Sequence, residues 1–294
     1  MTNFKSDDSI ILYPTPSKEA KDAQIVSFIN MKGGVGKTTL AINIGYTLAK
    51  HFDKKVLIID MDPQFNTTQA LMTKFSDIDE YKKIRDSGKT IASVVTTQSH
   101  SISTGPRDRL HLANVVKNLY KKDGRLDLIP GDLAMSVFES SERGSERIIS
   151  SQLEDSFMKK YYDYVLFDTP ATYSIYSQSS LLASDSYVVP IAPDIFSSLG
   201  YELLETKLKS DYVLSGHALR DLGIIFTLYK ESRVKRTQLT EAFKNDPQFE
   251  NKLNEYEYIR SGNMSTFLLD MAKSKKNIID ITSEFIEKSE HDAE

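Results

Sequence analysis

Short runs of apolar residues alternate with longer amphipathic stretches along this chain. Gln24-Ile25-Val26-Ser27-Phe28-Ile29 reads as a buried strand, and the segment from Thr39 to Lys50 puts Leu40, Ile44 and Leu48 on one helical face. Residues 55–60 read as a second strand, 126–129 before Pro130-Gly131 as a third, and 164–167, ending in Asp168, as a fourth. Residues 186–191 and 222–227 follow. Strands apolar throughout, separated by helical stretches, predict an α/β fold with a mostly parallel, twisted central sheet and helices on both faces. Residues 1–23 are largely polar and carry Pro14 and Pro16, so they are expected to be a short extension before a single domain over residues 24–294. The Lys-, Ser- and Thr-rich stretch of about 67–125 exceeds what one crossover needs and reads as a helical or loop insertion. Residues 277–294 read as an acidic amphipathic helix.

Composition narrows the chemistry. Of 294 residues, 40% are hydrophobic and 27% charged, ordinary for a globular chain. Every apolar run is of strand length, too short to span a bilayer. The first eight residues lack the apolar core of a secretion signal, so cytoplasmic residence is the expectation. There is no cysteine, which excludes disulfides, thiolate zinc sites, cysteine-held iron–sulfur clusters and thiol catalysis. The five histidines have no ligand-like spacing. Net charge is −4, so any nucleic-acid binding needs a local basic patch.

The glycine-rich segment Lys32-Gly33-Gly34-Val35-Gly36-Lys37-Thr38-Thr39 lies between the first strand and the first helix. Such a turn brings backbone N–H groups against phosphate oxygens, and the helix N-terminus adds a favourable field. Lys37 supplies a cation for β- and γ-phosphates, and the Thr38 hydroxyl suits a magnesium ligand. The generic loop has glycine where this chain has Met31, and here a second lysine, Lys32, opens the loop. Two carboxylate segments follow at strand ends, Asp60-Met61-Asp62-Pro63-Gln64 and Asp168-Thr169-Pro170. Ligands of open α/β sheets bind at the carboxyl ends of the strands, so Asp60, Asp62 and Asp168 should emerge beside the phosphate loop. One aspartate at a strand end is as often a turn cap; three converging on such a loop point to magnesium and to a carboxylate that orients an attacking water.

With those three motifs the sequence resembles the ParA/Soj/MinD family of P-loop ATPases with a deviant Walker A loop, over about residues 24–240. It is most similar to plasmid partition members that lack an N-terminal helix-turn-helix domain. The resemblance implies Mg-ATP as ligand. Lys32 would be a signature lysine reaching the partner's nucleotide across an ATP-sandwiched homodimer, and Lys37 the phosphate lysine in its own subunit. Thr38, Asp60 and Asp168 would hold magnesium directly or through its waters, and Asp62 would position the attacking water. It further implies slow ATP hydrolysis, nonspecific DNA as a partner, and a centromere-binding adaptor of the ParB kind that stimulates turnover.

Within that family, the absence of cysteine removes an iron–sulfur role. A MinD-like membrane switch should end in a basic amphipathic helix, whereas residues 283–290 are acidic. A MinD-like positioning ATPase, or a nucleotide-gated scaffold without DNA binding, is the alternative to DNA segregation. A small-molecule ligase would need a substrate pocket that the sequence does not reveal. For DNA phosphates the best basic clusters are Arg233, Lys235 and Arg236 with Lys230, then Lys275 and Lys276 with Lys273 and Arg260. A third runs through Arg107, Arg109, Lys117, Lys121, Lys122 and Arg125.

Overall fold

The computed structural model describes residues 21–96, 110–154, 156–194, 196–230, 241–260 and 266–290. Its strands are β1 (Gln24–Phe28), β2 (Lys55–Asp60), β3 (Lys117–Lys121), β4 (Arg125–Ile129), β5 (Tyr164–Asp168), β6 (Ser186–Ile191) and β7 (Arg220–Phe226). They form one sheet in the order β3-β4-β2-β5-β1-β6-β7, parallel except where β3 runs against β4. Successive side chains of a strand point to opposite faces, and the three central strands use this to fill two apolar layers. Val26 and Phe28, Val56 and Ile58, Tyr164 and Leu166 enter one layer. Ile25, Leu57 and Ile59, Val165 and Phe167 enter the other.

Helices cover both faces. α1 (Lys37–His51) and α2 (Asn66–Phe75) join the first layer with the C-terminal helix Ala272–Glu290, whose Phe285 stacks on Phe28 with ring centroids 6.1 Å apart. On the opposite face lie α4 (Ala92–Val95), α5 (Ile148–Glu154), α6 (Met158–Tyr161) and α7 (Ile175–Leu182), while α3 (Ile78–Asp86) packs beside α2. α8 (Ser197–Ser210) covers β6 and β7 through Tyr201 and Leu204.

The sheet departs from the sequence expectation at one edge. The stretch read as a helical or loop insertion contains the helices α2, α3 and α4 and also the strand β3, which was not expected there. Lys117-Asn118-Leu119-Tyr120-Lys121 is half polar because it is an edge strand, and an apolar-run criterion passes over it. Its hairpin with β4 turns at Gly124, where a Cβ would lie 2.1 Å from the Ala49 carbonyl oxygen at the end of α1. Only glycine lets the hairpin tuck there. β7 begins two residues earlier than predicted, and the C-terminal helix begins at Ala272 rather than near residue 277. The expected extension, except residues 21–23, lies outside the described residues.

The register positions the chemistry. Asp168 ends β5 with Asp60 of β2 opposite it on one side and Phe28 of β1 opposite it on the other. Two carboxylates and the loop that leaves β1 are thereby set on three adjacent strand ends.

Candidate nucleotide site

The loop between β1 and α1 is tied to the ends of β6 and β7 by side-chain hydrogen bonds. Asn30 donates to the Pro190 carbonyl at 2.7 Å and accepts from the Lys32 amide at 2.9 Å. The Thr227 hydroxyl, just past β7, donates to the Val35 carbonyl at 2.7 Å. Gly34 and Gly36 adopt left-handed backbone with φ 72° and 87°, and Gly36 caps α1. A Cβ on Gly36 would sit 3.4 Å from the Thr227 methyl, so the clamp and the glycine fit each other. No side chain caps α1 and its first turn holds no acidic residue, so its leading N–H groups face outward as an anion cradle.

Lys37 is 7% exposed, and its ammonium donates to the Lys32 carbonyl at 3.2 Å. Burial lowers its pKa, and the carboxylates of Asp168 and Asp62 oppose that shift. The Thr38 and Thr67 hydroxyls both donate to Asp168 Oδ2 at 2.7 Å. Asp168 Oδ1 is buried and has no hydrogen-bond partner among the described residues. Asp60 Oδ2 accepts from the amide and hydroxyl of Thr68 at 2.8 and 2.7 Å, and its Oδ1 accepts from the Asp62 amide at 3.2 Å. The same Thr68 hydroxyl accepts from the Gly131 amide at 2.7 Å. Asp62 is half-buried, with Oδ1 accepting from the Gln64 amide at 2.9 Å.

Burial, with the nearby Asp168 charge, pushes Asp60 up to about 8 against the Thr68 hydrogen bonds. Burial likewise pushes Asp168 up to about 6 against the Thr38 and Thr67 hydroxyls. Both folded-state pKa values exceed the usual 3.8, so the folded chain binds these protons more tightly than the unfolded one. Their stabilisation is complete below about pH 4 and is lost as pH rises through about 6 and then about 8. Without ligands, the melting temperature should fall from about pH 4 and level off above about 8, and Asp60→Asn, which leaves only Asp168 raised, should show about a third of that decline, confined below about pH 6. A series of thermal melts against pH reads this directly; an equal slope in both proteins would reject the assignment.

Lys37, Thr38, Asp62 and Asn66 line one cavity of about 550 Å³ with the rest of the loop from Gly33 to Thr39, and Leu228 and Ile259 line it as well. Lys32 lies at the mouth of the loop, where its ammonium pairs with Asp194 beyond β6. Asp194 is fixed in turn by the Phe196 amide at 2.9 Å and the Ser197 hydroxyl at 3.1 Å.

A family model described as an AAA domain matches residues 23–212. The ParA family virulence plasmid protein pGP5-D of Chlamydia psittaci is 32% identical over 212 residues, 70% of this chain and 70% of that protein. The chain belongs to the ParA family. The sporulation initiation inhibitor protein Soj of Bacillus subtilis is 27% identical over 202 residues, covering 66% of this chain and 70% of Soj. A plasmid partition protein of Borrelia burgdorferi, solved with bound AMPPNP, superposes with a TM-score of 0.73 at 24% identity over 91% of this chain and all of that one. The ParA fold accounts for the seven-stranded sheet and for the single P-loop domain.

Of the residues singled out from sequence, Gly33 to Thr39, Asp60, Asp62 and Asp168 come together, while the Lys32 side chain is turned to Asp194. Thr67, Thr68, Asn30 and Thr227 were not singled out. The two threonines follow the Asp60–Gln64 segment after two intervening residues, and paired hydroxyls behind buried carboxylates are the readable signal there. Thr227 carried none, because its contact with Val35 spans 192 residues.

Arg233, Lys235 and Arg236 lie outside the described residues. Lys275 and Lys276 are exposed, with Lys273, in the first turns of the C-terminal helix, and a surface hollow beside Lys275 is also lined by Lys50 and His51 at the far end of α1. In the third cluster Lys117 pairs with Glu80 and Arg125 with Asp127, so two of its cations are already neutralised. Among the described residues no helix is long and apolar enough to cross a membrane.

Proposed function

We propose that this chain is a DNA segregation ATPase of the plasmid partition type, hydrolysing ATP and switching its grip on nonspecific DNA with the nucleotide. The observation that carries the chemistry is the buried oxygen pair of Asp168, one oxygen held by Thr38 and Thr67 and the other without a partner among the described residues, beside the phosphate loop. An unpaired carboxylate oxygen next to a threonine hydroxyl suits a magnesium ion, which takes one or two protein ligands and completes its shell with phosphates and water. Thr38 and Asp168 would hold that ion, and it would neutralise charge between the β- and γ-phosphates. Asp60 stands behind them. Its oxygens are taken by Thr68 and the Asp62 amide, so it fixes Asp62 and reaches magnesium only through water.

In this reading Lys37 exchanges the Lys32 carbonyl for phosphate oxygens, which restores the charged form that burial disfavours. Asp62, half-exposed in the cavity, orients a water onto the γ-phosphorus; the bond to the bridging oxygen breaks, and that oxygen leaves on ADP. Lys32 releases Asp194 and reaches the nucleotide of a second subunit, so ATP closes a homodimer and hydrolysis opens it. Pairing two chains doubles each basic patch, which lets a protein of net charge −4 hold a polyanion. Lys275 and Lys276, with Arg233, Lys235 and Arg236, are the DNA contacts in this scheme, and a ParB-like adaptor stimulates turnover. Sedimentation of the protein with Mg-ATP and with Mg-ADP tests the switch: a dimer only with ATP is expected, and the same monomer in both would overturn it.

A further inference from the structure

Toward the end of α1 remote from the phosphate loop, two lysines share one carboxylate. Asp270 closes the short turn Leu268–Asp270 just before the C-terminal helix. Lys50 of α1 donates to its Oδ1 at 2.7 Å, and Lys74 of α2 donates to its Oδ2, also at 2.7 Å. The Tyr46 hydroxyl accepts from Lys50 at 2.6 Å and donates to Asp270 Oδ1 at 3.2 Å. Partial burial works against the charge, yet the hydrogen bonds from Lys50 and Lys74 hold the Asp270 carboxyl below the usual carboxylate range. It is therefore an anion at neutral pH.

Stability does not account for this cluster. The Lys50, Lys74 and Asp270 side chains are 39%, 28% and 27% exposed, and ion pairs so open to water add little to a fold. What the arrangement does is fix two ammonium groups side by side. Lys50 Nζ lies 4.9 Å from the centre of the Tyr46 ring and Lys74 Nζ 5.2 Å from that of Phe267, and the two rings meet edge to face at 4.9 Å. One negative charge between two positive ones leaves a cation in excess. The hollow beside Asp270, about 420 Å³, is lined by Lys50, His51 and Lys275, and among the described residues that line it only Asp270 is acidic. Lys273 and Lys276 are exposed in the adjoining turns.

Two ammonium groups, one on each oxygen of a single anion, can meet the two free oxygens of a phosphodiester in the same way. We propose that Lys50 and Lys74 are a docking point for a DNA phosphate, and that Asp270 is the internal anion which the DNA displaces. This rests on reading the chain as a DNA-binding ATPase, and it extends the contact surface from the C-terminal helix onto α1 and α2. Because both lysines are already ordered, a phosphate that takes the place of Asp270 loses little further side-chain entropy. The competing carboxylate keeps the grip weak, which suits a protein that lets go of DNA when its nucleotide changes.

The test measures binding of the full chain with Mg-ATP to a random-sequence DNA duplex across a salt series. Asp270→Asn keeps the shape of the side chain and an acceptor for Tyr46. It should tighten binding about fivefold or more at low salt, and steepen the fall of log affinity with log salt by about one, the increment of one phosphate contact. Lys74→Gln should move both quantities the other way by similar amounts. Glu287→Gln removes the same charge from an exposed position on the C-terminal helix away from the hollow, and should stay within about twofold of the parent. An equal gain from Glu287→Gln would mean that net charge alone matters, and would overturn the proposal. So would an Asp270→Asn protein that binds DNA like the parent, whatever its melting temperature. Substitutions that shift binding to anionic phospholipid vesicles and not to DNA would assign the cluster to a membrane surface, and would overturn it too. A parent protein that binds no DNA in any nucleotide state would instead overturn the DNA reading itself.

Discussion

Asp62→Ala should bind ATP with an affinity within about threefold of the parent and lose turnover by about 10²-fold or more, the usual contribution of a positioned carboxylate. The two halves of that result have separate causes. Asp62 is half-exposed, and its carboxylate accepts one local hydrogen bond, from the Gln64 amide, so its removal costs the fold little. It faces the same cavity as Lys37, and taking away a negative charge there cannot weaken a polyanionic ligand electrostatically. What disappears is the group able to hold a water near the γ-phosphate. Phosphate release and ATP titration on one preparation measure both halves. Normal turnover would remove Asp62 from the mechanism.

Lys37→Ala should act on the opposite quantity. The ammonium is buried, with a carbonyl and two nearby carboxylates for company, and burial already lowers its pKa. Phosphate oxygens are the better partner for such a charge. Loss of one side of a buried charged pair costs about 2–5 kcal/mol, so ATP affinity should fall by roughly 30-fold or more. The unliganded protein should meanwhile hold its melting temperature, because the variant discards a desolvated cation. ATP affinity unchanged within twofold would refute the loop assignment.

The sheet and the site differ in how openly the sequence shows them. β1, β2, β5 and β6 are mostly apolar because they are buried on both faces, and that pattern is visible without any knowledge of neighbours. The phosphate loop and the aspartates at the ends of β2 and β5 are equally legible, since their chemistry depends on local spacing and strand polarity. β3 hides because it is an edge strand with polar residues at three of its five positions, so it presents no continuous apolar run. Thr227, Leu228 and Ile259 hide for another reason. Their places at the site depend on the crossover that places β7 two strands from β1, and on the pairing of Tyr229 with Leu253 and Glu255. No spacing along the chain encodes either. The Lys32–Asp194 pair is of the same kind, joining residues 162 apart.

The Lys275–Lys276 surface and the phosphate loop sit at opposite ends of α1, a helix of 15 residues and therefore about 22 Å long. Nucleotide and DNA would then meet different parts of the chain, coupled through closure of a dimer rather than by direct contact.

The measurement that tests this coupling most directly is binding to a random-sequence DNA duplex without nucleotide, with Mg-ADP and with Mg-ATP, each at low and moderate salt. Tight binding with ATP alone, falling steeply as salt rises, is the predicted result, because phosphate contacts release condensed counterions. Binding of equal strength in all three nucleotide states, or none in any, would contradict it.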